Sequence, residues 1–296
     1  MAIENATLSN TGTVPAGLEI YSREAFMEPE LRPFLHGMAA VFSARAPNKE
    51  TANEDSAALI PVDERRGVIV IADGVGGHSD GAKASRLAID ALVSALLQVD
   101  EPDSELRSAI LHGIDDANRA VRALATGAAT TLAAVDVHGS TIRPYHVGDS
   151  LILVTGQRGK LKLQTISHSP VGYALESGLL DESQAMQSDE RHLVSNVVGS
   201  ADMRIEIGPR LKLARFDTLL LASDGLSDNL AAEEIVEGVR QGPLEQRAAQ
   251  LMARCTARMR EGGHPDDLTA ILYRRSASPR ARPASGPRSL SGDTDV

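Results

Sequence analysis

Residues 68–99, VIVIADGVGGHSDGAKASRLAIDALVSALLQV, change hydrophobic period partway along, and that change constrains the fold more than any other stretch. Val68, Ile69, Val70 and Ile71 run without alternation, the pattern of a strand buried on both faces. From about Ser79 the period becomes helical, with Ala84, Leu87, Ala88, Ala91, Leu92, Ala95, Leu96 and Val99 forming one apolar stripe. Between the two stands Asp73, followed by glycine at 74, 76 and 77. A carboxylate therefore falls where a buried strand stops. Unpaired, it would lose on the order of several kcal/mol in desolvation or take up a proton. A cation is the simplest partner.

The rest of the chain divides into three parts. Residues 1–37 read as a weakly patterned leader, partly ordered, whose stretch 18–35 offers a strand or short helix to pack on the body, and residues 276–296 as a disordered tail rich in Ser, Pro and Arg. Between them, 38–275 read as one domain of α+β class, because strands and helical pairs come in runs rather than in βαβ alternation. A strand is expected over 38–46, then a hairpin turning at Asp63 to Arg66. A second helix follows, capped by Ser104 and ended by Gly127. Four short strands come next, at hairpin spacings around His138-Gly139-Ser140, Gly148-Asp149-Ser150 and Gln157-Arg158-Gly159. The polar stretch 168–195 reads as a surface flap, with weak helical content near 181–186. A second buried strand, DTLLLAS, then ends on Asp224-Gly225, and two helices and a last strand over 268–274 follow.

Composition excludes several function classes. A formal net charge of -10 argues against a nucleic-acid-binding body. One cysteine, Cys255, permits no internal disulfide; it reads as a core residue in a reducing compartment. No apolar run reaches the roughly 18 residues of a membrane span, so the expected location is cytoplasmic.

The arrangement at Asp73 recurs. Asp224-Gly225 follows LLLAS, Asp149 follows His146-Val147-Gly148, Asp266 and Asp267 precede the last strand, and Glu54-Asp55 precede another. Any one Asp-Gly is ordinarily a turn. As a set, acids at strand ends imply convergence on one sheet edge, where they repel unless cations lie among them. Oxygen ligands without a Cys/His cluster select Mg²⁺ or Mn²⁺. Two such ions about 4 Å apart would polarise a phosphoryl oxygen and present hydroxide for in-line attack.

The segments Asn53-Glu54-Asp55-Ser56, Ile71-Ala72-Asp73-Gly74-Val75-Gly76-Gly77-His78, His146-Val147-Gly148-Asp149-Ser150, Ala222-Ser223-Asp224-Gly225-Leu226-Ser227-Asp228 and Asp266-Asp267-Leu268-Thr269 stand in a telling order. Over roughly residues 38–275 the chain resembles the metal-dependent protein phosphatase 2C (PPM) family, of the bacterial type. The resemblance implies a four-layer αββα sandwich of two antiparallel sheets flanked by helices, with a binuclear Mn²⁺ or Mg²⁺ centre at one edge. It implies that Asp73 bridges the ions, assisted by the Gly74 carbonyl, and that Asp224 and Asp266 ligate one of them. Glu54 and Asp55 would bind directly or through water. Asp149 and Asp228, with Asp224, match a third, weaker site. The implied reaction is hydrolysis of phosphoserine and phosphothreonine in a phosphorylated protein, opposite a Ser/Thr kinase.

Three departures accompany the resemblance. The place of the family's phosphate-clamping arginine holds Glu50, which leaves Arg45 or Lys49 for that task. Val75 stands where animal members carry an acid histidine, and His78 reads as a loop residue. The usual Asp-Asn pair is Asp266-Asp267, of which Asp266 is taken as the ligand by its distance from Thr269. Two rival functions follow: a weakly active phosphoprotein-binding module of the same fold, or another metallophosphohydrolase.

Overall fold

Strand and helix periods come in blocks along the computed structural model, which describes residues 15–22, 28–75, 79–99 and 106–276. Strands β1 (Glu19–Ser22), β2 (Glu30–Phe34), β3 (Gly37–Ala44), β4 (Ser56–Pro61), β5 (Arg66–Ala72) and β6 (Gly74–Val75) precede helices α1 (Ser79–Leu96) and α2 (Arg107–Arg122). Then come β7 (Ala129–Thr130), β8 (Leu132–His138), β9 (Thr141–Val147), β10 (Leu151–Thr155) and β11 (Leu161–Gln164). Helices α3 (Pro170–Glu176) and α4 (Glu182–Met186) lead to β12 (Glu206–Ile207), β13 (Leu211–Lys212) and β14 (Thr218–Ala222). Helices α5 (Asp224–Ser227), α6 (Ala232–Val239) and α7 (Leu244–Arg260) precede the last strand, β15 (Leu268–Arg275).

One antiparallel sheet runs β1-β4-β5-β8-β9-β12, with β13 also on β9, and the other runs β11-β10-β14-β15-β3-β2. The unalternating apolar runs are explained by what covers each face. On β5, Val68, Val70 and Ala72 pack under α1 and α2, beside Ile89, Leu92 and Ile114. Ile69 and Ile71 point the other way, into the layer shared with Val41, Ile152 and Leu219 of the second sheet. On β14, Leu219 and Leu221 face that same layer, whereas Leu220 and Ala222 meet Ile235, Leu251 and Cys255 of α6 and α7. Each fully buried aliphatic side chain contributes about 1.5–3 kcal/mol, so three continuous layers hold the sandwich together. The expected four-layer αββα sandwich is the observed fold.

Local expectations differ from the structure in four places. Residues 15–22 and 28–37 are part of the sandwich rather than a leader before it: β1 pairs with β4 and β2 with β3, burying Tyr21 and Phe34 in the layer between the sheets. Their alternation is too short to read alone. The turn Gly148–Ser150 joins no hairpin, because β9 lies in one sheet and β10 in the other. Helix α3 was legible from Ser169-Pro170, a capping serine before a proline at the first helical position; its Oγ accepts the Gly172 N–H at 2.9 Å. Helix α2 stops before Gly127, with Ala125 already left-handed at φ 54. Ser104, Gly76, Gly77, His78 and the tail from 277 lie outside the described residues. Among the described residues no helix is long and apolar enough to cross a membrane.

Candidate metal centre

Antiparallel register explains why the acids meet. The last residue of β5, Ala72, sits opposite Ser56 at the start of β4. The last residue of β14, Ala222, sits opposite both Leu151 at the start of β10 and Ala270 in the first half of β15. Strand ends carrying Asp73 and Asp224 thus lie beside strand starts carrying Asp55, Asp149 and Asp266, all on one edge of the sandwich. Helix α5 begins at Asp224 itself.

The carboxyls of Asp73 and Asp224 lie within hydrogen-bonding reach of each other. Burial, then the charges of Asp224, Asp55, Asp266 and Asp149, push Asp73 well above the ordinary carboxylate range. Burial and the charges of Asp149, Asp266 and Asp228 do the same to Asp224. Asp55 is raised to about 7 by burial and by Asp267, against hydrogen bonds from Thr269 and Ser223. Asp149 reaches about 7 through burial, and Asp228 and Asp266 add to it. Four buried oxygens of this group, Glu54 Oε1, Asp55 Oδ1, Asp149 Oδ1 and Asp224 Oδ1, have no hydrogen-bond partner among the described residues. Orphaned buried oxygens beside aspartates that raise one another's pKa values are a donor set for hard cations, and Mn²⁺ or Mg²⁺ fits it.

The backbone around these acids is held by residues that sequence reasoning passed over. Asp73 N–H donates to Thr131 Oγ1 at 3.1 Å, and its carbonyl accepts from Thr131 N at 2.8 Å and Thr130 Oγ1 at 2.7 Å. Ser223 Oγ donates to Asp55 Oδ2 at 2.9 Å, tying the two sheets together at the site. The buried Cys255 thiol, pushed by burial up to about 12, donates to the Gly225 carbonyl at 3.2 Å and is structural. Gly74 is required by crowding rather than by a positive φ: a Cβ there would run into the Gly81 carbonyl and come within 2.8 Å of the Glu54 carbonyl.

Asp266 and Asp267 are sharply distinguished. Asp266 is exposed, its charge felt by Asp55, Asp73, Asp149 and Asp224. Asp267 is 2 % exposed and accepts from Ala46 N at 2.9 Å, Glu54 N at 2.8 Å and Lys49 Nζ at 2.6 Å. Lys49 Nζ also donates to Glu54 Oε2 at 2.7 Å. Burial pulls the Lys49 ammonium down, but its bonds to Asp267 and Glu54 outweigh that and hold it above its ordinary value. Lys49, read from sequence as a phosphate clamp, is thus engaged by two carboxylates, because an aspartate stands at 267 and needs a counter-ion. Arg45, exposed beyond the end of β3, donates to the Thr51 carbonyl at 3.4 Å and keeps the rest of its fork available.

The pairing has a testable consequence. Lys49→Met is expected to destabilise the fold by about 2 kcal/mol, since it strands two carboxylates. The double variant with Asp267→Asn should be more stable than Lys49→Met alone, a non-additivity that urea denaturation of both singles and the double measures. A rise in substrate KM without loss of stability would instead assign Lys49 to substrate.

The flap is fastened at both ends. His168 donates its N–H to the Gly148 carbonyl at 3.0 Å and accepts from Ser195 N at 2.7 Å. Arg191 donates to Asp228 Oδ1 at 2.6 Å, the Ser227 carbonyl at 3.0 Å and the Met186 carbonyl at 3.0 Å. Asp228, expected at a third ion site, therefore already carries a cationic partner that nothing in the linear motif signals. His146, His168 and Glu206 bring ligand atoms within 4.8 Å of one another. Their hydrogen bonds argue against a metal: His168 Nδ1 accepts from Gly148 N and Asn196 Nδ2, which leaves its proton on Nε2, donated to Glu206 at 3.1 Å. His146 Nε2 is likewise spent on the Ile166 carbonyl at 3.0 Å.

The sequence profile described as Protein phosphatase 2C matches residues 45–273. The chain belongs to the protein phosphatase 2C family. It is 29% identical over 211 residues to the serine/threonine protein phosphatase PstP of Mycobacterium tuberculosis, a match covering 69% of this chain but only 40% of PstP. With the serine/threonine phosphatase stp of Listeria monocytogenes it shares 27% identity over 247 residues, 79% of this chain and 94% of that one. The crystal structure of the PstP catalytic domain in complex with two manganese ions superposes with TM-score 0.63 at 27% identity, covering 80% of this chain and 96% of that domain. The phosphatase 2C fold thus extends across most of the described residues.

Proposed function

We propose that this phosphatase 2C chain hydrolyses phosphoserine and phosphothreonine in proteins, using two Mn²⁺ or Mg²⁺ ions held by Asp73, the Gly74 carbonyl, Glu54, Asp55, Asp224 and Asp266. The observation that carries this reading is the set of four orphaned buried oxygens on the edge where neighbouring charges push Asp73 and Asp224 upward. The two manganese ions of the PstP domain support it. Bound there, such ions supply Lewis acidity toward a phosphoryl oxygen and lower the pKa of water.

The chain's own groups do the positioning. Thr130 and Thr131 pin the Asp73 backbone, and Ser223 orients Asp55. Asp267 fixes the Glu54 N–H and hands Lys49 to Glu54 Oε2, leaving Oε1 free. Arg45 is the cation proposed to take the substrate phosphate, through the bidentate fork that lysine lacks. Asp149 and Asp228, with Asp224, would admit a third ion once Arg191 gives up Asp228. A phosphorylated protein, a Ser/Thr kinase acting on it and a cytoplasmic setting complete the proposal.

The test is release of inorganic phosphate from a phosphothreonine peptide. Turnover with Mn²⁺ that chelation abolishes is the expected result. Peptide binding without release would favour a phosphoprotein-binding module, a reading that rests on Glu50 and on the engagement of Lys49. A marked preference for phosphodiesters or nucleotides would favour another metallophosphohydrolase.

A further inference from the structure

Between the flap helices α3 and α4 and the body of the fold lies a cavity of about 410 Å³. Its lining is mostly apolar, with Leu151, Ile166, Val171, Leu175, Met186 and Ile235 among the side chains. Asp149, Asp224 and Asp228 line it as well, so the cavity reaches the carboxylate edge. The enclosure is a held shape rather than a loose fold of chain. Ser169 caps α3, and Asp181 caps α4 in a reciprocal box with Gln184. His168 seats the start of the flap on Gly148, and Arg191 fastens its far end to Asp228 and Ser227.

We propose that this cavity is a subsite for a bulky apolar side chain of the phosphoprotein substrate, borne on a segment with basic rather than acidic neighbours. The proposal rests on the phosphatase reading of the carboxylate edge. A phosphate ester placed at Asp73 and Asp224 arrives on a polypeptide that must leave the edge, and the cavity shares Asp224 with it. An apolar side chain entering there exchanges water for a preformed apolar lining. Charge complementarity selects the neighbours. Glu176 and Glu182 of the flap line the cavity in addition to the ion-binding aspartates, and Arg191, the one cation among the described lining residues, is already paired with Asp228. Basic residues beside the apolar anchor are attracted to that rim, and acidic ones repelled.

The test uses a set of phosphothreonine peptides in which leucine replaces alanine at each flanking position in turn, with p-nitrophenyl phosphate as a substrate too small to reach the cavity. At one position or more, leucine should raise kcat/KM by about tenfold. Ala185 is buried on α4 and lines the cavity, so Ala185→Phe fills it. That variant should abolish the leucine preference while turning over p-nitrophenyl phosphate within about twofold of the parent chain. Leu175→Asp, at a half-buried position on α3, places a charge in the same space without depending on a repacked interior, and should do the same. Equal turnover of leucine and alanine peptides at every position, or a preference that survives in both variants, would overturn the subsite while leaving the phosphatase reading intact. No turnover of any ester, p-nitrophenyl phosphate included, would overturn that reading and the subsite with it.

Discussion

Asp224→Asn lowers kcat by more than about a hundredfold at saturating Mn²⁺, because even the outer-shell partners of metal ligands cost 10–100-fold when removed. The same substitution raises the thermal stability of the metal-free protein. Asp224 stands in a cluster whose charges repel: burial and Asp149, Asp266 and Asp228 all oppose its ionisation. An amide at this position carries no charge, keeps the shape, and its N–H can donate to the Asp73 carboxylate. Each pKa unit of strain relieved is worth about 1.4 kcal/mol. Loss of activity together with a gain in metal-free stability is the signature of a functional acid, since a residue kept for folding would lose both. Phosphate release and thermal denaturation in chelator measure the two effects. Near-normal turnover at saturating Mn²⁺ would contradict the assignment.

Withdrawing divalent cations produces a metal-free protein that is more stable at about pH 5.5 than at about pH 8. The sign follows from the direction of the shifts. Asp55 and Asp149 titrate near 7 in the fold, against an ordinary value of 3.8. Between those values the folded chain binds more protons than the unfolded one. Their contribution is therefore fully present below 3.8 and is lost as pH rises through about 7. Each group changes stability by up to about 1.4 kcal/mol per pH unit across that window. Mn²⁺ binds the same oxygens, so protons compete with it and its stabilisation grows with pH. At about a hundredfold excess over Kd, the ion adds about 2.7 kcal/mol. Urea denaturation at the two pH values, with chelator and with Mn²⁺, measures the crossover. Metal-free stability that rises from the lower pH to the higher would show that the carboxylates do not carry protons in the fold.

Both predictions concern residues that could be picked out along the chain, and the reason is local. Val68 to Ile71 and Leu219 to Leu221 are strands buried on both faces, where every side chain must be apolar until the strand ends. An aspartate at such an end is conspicuous without any partner in view. The α1 stripe, the β4–β5 turn and the β14 strand follow from the same short-range periodicities. The start of α3 at Ser169-Pro170 carries a local signal of the same kind, but the polar stretch around it reads only as a flap with weak helical content near 181–186.

Pairing across distance is another matter. No periodicity announces that Gly148–Ser150 passes from one sheet to the other, since a two-sheet crossing and a hairpin need the same turn residues. Nor does spacing reveal that Asp267 takes Lys49 as its counter-ion from 218 residues away, turning a candidate phosphate clamp into a brace for Glu54. Arg191 on Asp228 and the cavity beneath α3 and α4 arise the same way. Periodicity is written into each segment, because backbone geometry repeats every two or 3.6 residues. Which charge meets which is written only in the packing of segments, where burial leaves each ion no choice but the partner the fold brings to it.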